Sequence, residues 1–256
     1  MRGVSNRVSP WFLLLLAVTV VGGVLCAVGT RSALEGSTVL LTTGVVLLVL
    51  GGWCVSLCLH EFGHAYLAHR GGDDSIENRG YLTLDIRRYA NVGLSFVLPV
   101  VFLLLGGIPL PGGAVWINQW ALRSRGMRSL VSFAGPAVNL VVGILLSLAV
   151  IFLPMNEGLA VGLSCLALIQ ILAFVLNILP VPGLDGYGVL EPYLSPEAQR
   201  FGHKVRPWAP LVLFLLVLGV PGVSRVLFGI GQFLFALIGG DAQYAAAGYS
   251  LLLFWR

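Results

Sequence analysis

Apolar residues in this 256-residue chain gather into long unbroken runs, unlike the periodic stripe of a helix that keeps one face in water. Four runs, Trp11 to Val28, Val39 to Leu59, Leu130 to Leu153 and Leu159 to Leu179, come near or exceed the ~18 to 20 residues that a helix needs to cross a bilayer. Each predicts a membrane-spanning helix. Two further regions are ambiguous by length: Val92 to Gly107 is short for a span, and Trp208 to Ile238 is too long for one and is broken at Pro221-Gly222. The pattern therefore predicts between four and seven crossings. Composition agrees, since 57% of the residues are hydrophobic and only 10% are charged, against about 25% in an ordinary soluble domain. The predicted class is an all-α polytopic membrane protein, one integral membrane domain over residues 1–256.

Charge changes the picture by giving the spans a direction. With the N-terminus inside, Arg2, Arg7, Arg70, Arg79, Arg87, Arg88, Arg123, Arg125, Arg128, Arg200, Lys204 and Arg206 fall on the cytoplasmic side. Among the loops beside the four long runs, only Arg31 falls outside. The net charge of +4 is thus a topology signal, and the expected surroundings are a lipid bilayer, with no nucleic acid partner. No cleavage site follows the run from Trp11, so it is read as a retained first helix rather than a signal peptide. Fourteen arginines against one lysine suggest a GC-rich bacterial genome and hence a bacterial plasma membrane. The cysteines 26, 54, 58 and 165 all lie in apolar spans, where packing is their expected role. Cys58 is about 200° around the helix from His60, so Cys54 and Cys58 cannot share an ion with it.

Against this apolar background stands His60-Glu61-Phe62-Gly63-His64 at the end of the run from Val39. Two histidines four residues apart project from one helix face and can grip one metal ion. Glu61, offset by about 100°, stands beside such an ion without being a ligand, where a general base for a metal-activated water must be. A catalytic zinc needs a third protein ligand. Most of the remaining candidates, Asp73, Asp74, Glu77, Asp85, Glu191, Glu197 and His203, sit among loop-type residues. Asp185 differs: it follows the fourth apolar run through Asn177-Ile178-Leu179-Pro180-Val181-Pro182-Gly183-Leu184, where prolines and glycine unwind the helix. An ionisable group at membrane depth is functional by default. The second and fourth runs both travel inward, so both deliver their candidate ligands to one level.

Three blocks in order, His60 to His64, Ala134-Gly135-Pro136-Ala137-Val138-Asn139, and Asn177 to Gly186 with its N-x-x-P-x-P-x-x-D-G pattern, resemble the site-2 protease family of intramembrane zinc metalloproteases. The resemblance covers residues 39 to 190. It implies one zinc per chain held by His60, His64 and Asp185, Glu61 as base, a core of three helices, and hydrolysis of peptide bonds in or beside the membrane spans of membrane-anchored protein substrates. Larger members carry an inserted PDZ domain or an appended nucleotide-sensing domain, and the expectation here is a short form with neither.

Asn139 or Asn177 could donate an amide N–H to the developing oxyanion; equally, both could lock helices together by hydrogen bonding. Gly80 to Ile86 alternates and is rich in strand formers, and Gly113 to Ile117 reads likewise. Both predict a small β element on the cytoplasmic side. Between them, Val92 to Gly107 is flanked by arginines at both ends and predicts a re-entrant loop beside the site, with Pro109, Pro111, Gly112 and Gly113 marking a flexible approach. Two other classes remain in view: a metal transporter, which would need ionisable residues lining a path through the other spans, and a non-catalytic relative that binds membrane helices.

Overall fold

A computed structural model describes residues 8–89 and 115–255. Four of its helices are long and apolar enough to cross a membrane: α1 (Pro10–Leu34), α2 (Val39–Gly71), α5 (Arg125–Phe152) and α6 (Glu157–Asn177). Short helices α3 (Ser75–Asn78) and α4 (Ile86–Tyr89) follow α2, and α7 (Asp185–Leu190) follows α6. The chain continues through α8 (Pro196–Val205), α9 (Ala209–Gly219), α10 (Pro221–Leu237) and α11 (Ala242–Leu252). Helices α8 and α9 are bent by 66° and make a fifth crossing if the pair is one span. The break expected near Pro221 falls between α9 and α10.

Helix α6 is central. Of its apolar window 72% is buried inside the protein, against 17% for α1, because α1, α2, α5, α10 and α11 all pack on it. The expected three-helix core is the mutual packing of α2, α5 and α6. Helix α1 covers the outer side of α2 through small residues in register: a Cβ added at Gly29 or Gly44 would run into backbone of the facing helix at 2.6 or 2.5 Å. Such close approach holds helices together in lipid, where no hydrophobic gain distinguishes a neighbour from an acyl chain. The α5–α6 turn is tied to the far end of α1, Asn156 Nδ2 donating to the Ala27 carbonyl at 2.7 Å and Gly158 N–H to Thr30 Oγ1 at 3.0 Å. At the opposite end α6 finishes at Asn177, while α2 runs on past His60 to Gly71 and α5 begins at Arg125, ahead of the Gly135 that abuts the histidines, so the histidines lie inside these two helices rather than at their ends.

The β expectation is corrected. Among the described residues there is no strand, only a single bridge between Val8 and Leu84. Over Gly80 to Ile86 the apolar alternation is real, but Asp85 Oδ1 accepts the backbone N–H of Arg87 at 3.1 Å and starts a helical turn instead. Val115 to Asn118 is irregular rather than a strand. The re-entrant loop predicted for Val92 to Gly107 and the approach at Pro109 to Gly113 lie outside the described residues. The four cysteines are free.

Candidate metal centre

His60 and His64 stand one turn apart near the end of α2, both buried. Beyond Asn177 the chain leaves the helix and turns through Gly183, whose φ of 102° favours glycine, and Asp185 opens α7 on the same level as the histidines. His60 Nε2 lies 3.2 Å from Asp185 Oδ2, and His64 Nε2 lies 3.4 Å from Oδ1. The two Nε2 atoms are 3.1 Å apart. Ligand atoms held ~2.0 to 2.2 Å from a tetrahedral ion stand roughly 3.3 Å from one another, so this triangle has the size zinc requires.

The far side of each imidazole decides what faces the centre. His60 Nδ1 donates to Asn139 Oδ1 at 2.6 Å, and His64 Nδ1 donates to the Val131 carbonyl at 2.7 Å. With both Nδ1 protons committed, both Nε2 lone pairs converge on Asp185, an arrangement of three electron-pair donors that suits a divalent cation. Gly135 on α5 lies directly against the pair, and a Cβ there would overlap Nε2 of both histidines.

Glu61 is 3% exposed, and its Oε2 accepts the Val115 N–H at 3.0 Å. The same segment is pinned a second time, by Asp73: its Oδ2 accepts the Asn118 N–H at 2.7 Å while Oδ1 takes Ser75 N–H and Oγ. Two carboxylates thus fasten Val115 to Asn118 over the site. A cavity of about 550 Å³ opens there, lined by His60, Glu61, His64, Asp185 and Asn177 among others.

The two asparagines separate. Asn139 spends its Nδ2 on Gln170 Oε1 at 2.8 Å and its Oδ1 on His60, so both ends of its amide are committed. Asn177, buried at the end of α6, lines the cavity, and its Nδ2 has no partner among the described residues. Two residues escaped sequence reasoning. Gln170, fully buried, was legible in principle as the amide in the middle of the α6 run, Asn177 being the other at its end. Asp73, 1% exposed, carried no local signal that separates it from its acidic neighbours.

With that geometry in place, comparison with known proteins decides the lineage. Over 255 residues the chain is 48% identical to the Mycobacterium tuberculosis protein named "Putative zinc metalloprotease Rip2", covering 98% of this chain and 95% of that one. The chain belongs to the site-2 protease family. The Mycolicibacterium smegmatis protein of the same name is 44% identical over 253 residues, 98% of this chain and 95% of that one. "Putative zinc metalloprotease YwhC" of Bacillus subtilis is 30% identical over 182 residues, 64% of this chain and 78% of that one. No family model matches the chain, and no solved structure matches it. This site-2 protease family member is thus a membrane protein with bacterial relatives named as zinc metalloproteases, and it carries a His-His-Asp cluster suited to the metal in that name.

Proposed function

We propose that the protein hydrolyses peptide bonds within or beside the spans of membrane-anchored protein substrates. The observation that carries this reading is the convergence of His60, His64 and Asp185, with ligand atoms within 4.8 Å of one another, beside a buried Glu61 and among membrane-length helices. One zinc per chain would be held by the two Nε2 atoms and the Asp185 carboxylate. When bound, it supplies a Lewis acid and an activated water.

The chain's own residues do the rest. Glu61 takes the proton of the attacking water on the carboxylate oxygen not held by Val115, and returns it to the leaving amine. Asn177 offers its unpartnered amide N–H to the oxygen that gains charge. Asn139 works through His60, fixing its tautomer and plane, and is a positioning residue. The protein sits in the plasma membrane of a bacterial cell with its N-terminus and this site on the cytoplasmic side, a placement supported by the arginines at the site end of α2 and α5. The test is co-expression with candidate single-span proteins: wild type is expected to release a fragment that Glu61→Gln does not, and equal fragment yields from the two would overturn the reading.

A further inference from the structure

On α5, Arg128, Ser132, Gly135 and Asn139 recur at intervals of four, three and four residues and so share one face. Gly135 touches both imidazoles and Asn139 holds one of them, while Ser132 and Arg128 line the outer part of the same cavity. Arg128 is seven residues from Gly135, roughly 10 Å of helix rise. Arg206, just past the end of α8, lines the cavity as well. Neither guanidinium makes an ion pair among the described residues, whereas Arg31, Arg87 and Arg200 each have a carboxylate partner. The one cavity carboxylate outside the metal centre, Glu191, is taken by His203 at 2.9 Å.

Arg128 is held ready for a partner it lacks. Its Nε is buried without a hydrogen-bond acceptor, and its guanidinium lies over the Trp120 ring at 5.4 Å. Stacking fixes the plane and leaves the N–H edges available. A buried donor left unpaired is costly unless a ligand completes it, and the rest of this half-buried guanidinium stays open to the cavity. The two arginines also line the recess that contains the candidate ligands, which favours a group on the substrate over a headgroup of the surrounding lipid.

We propose that Arg128 and Arg206 form an anion subsite that receives an acidic side chain of the substrate. An extended segment advances about 3.3 Å per residue, so with its scissile bond at the metal centre the acid sits about two to four residues away. The position of the cut rests on the protease reading; the anion recognition does not.

The experiment uses the full chain carrying Glu61→Gln, in nanodiscs of neutral phosphatidylcholine. Binding of fluorescent apolar peptides is measured, with one Glu walked along the sequence and each compared with its Gln counterpart. At one register the Glu peptide is expected to bind about tenfold tighter. Arg128→Gln and Arg206→Gln should each shrink that preference and the double variant should remove it, with zinc content unchanged in all three. Equal binding at every register, or a preference that survives the double variant, overturns the proposal. So does an arginine dependence that appears only after phosphatidylglycerol is added, which would assign the pair to lipid phosphate. Failure of the protease reading shows up separately, as equal fragment yields from wild type and Glu61→Gln, and leaves the binding result intact.

Discussion

Helix α2 has two faces built on different physics. Toward α1 it presents Gly44 and Gly51 to backbone and small side chains, an apolar seam held by closeness. Toward α5 and α6 it presents His60, which reaches Asn139 and through it Gln170, a hydrogen-bonded line across three helices. The first face holds without choosing a side-chain geometry; the second fixes a ring plane and a tautomer. Position is thus supplied by packing, and aim by polar contacts whose loss would leave buried groups unpaired.

Substitutions on the two faces should therefore separate activity from stability. Gly135→Ala has the largest expected effect, since its Cβ would overlap both Nε2 atoms: zinc content, measured on purified protein, should fall close to zero and peptide cleavage with it. Asn139→Ala comes next, with zinc affinity down about 10- to 100-fold as His60 loses its partner, read by competition with a chelator. Asp73→Ala should release one of the two fastenings of Val115 to Asn118, lowering kcat about tenfold, less than the ~10²-fold or more that loss of a positioned base costs because Glu61 itself remains, while zinc content stays at the wild-type level. Gly44→Ala should change activity least, though its Cβ would sit 2.5 Å from the Cys26 nitrogen. Its effect should appear as about 1 to 3 kcal/mol of lost stability, seen as a lower midpoint in thermal unfolding. A Gly44→Ala protein that lost zinc while keeping its midpoint would erase the distinction between the faces.

The sequence makes the spanning helices legible because run length against bilayer thickness is a one-dimensional quantity, and α1, α2, α5 and α6 are the four runs it picks out. His60, His64 and Asp185 were legible for a related reason: ionisable groups are scarce in such runs and each needs a use. The turn at Asp85 was not, because alternation over Leu82, Leu84 and Ile86 reads as a strand until a local side-chain hydrogen bond diverts the backbone. Nor could spacing tell Asn139 from Asn177. Both asparagines line the surroundings of the proposed ligands, and only the partners of their amide nitrogens, Gln170 for one and none among the described residues for the other, assign them different work.

Gly183 touches more than its own turn. A Cβ there would meet Pro210 Cγ at 2.7 Å and the Arg206 carbonyl at 3.0 Å, so the loop bearing Asp185 is wedged against the elbow between α8 and α9. Tilting that elbow would lever the aspartate toward or away from the paired rings, and a force applied far along the polypeptide, on the C-terminal third, would be felt at the candidate metal ligands.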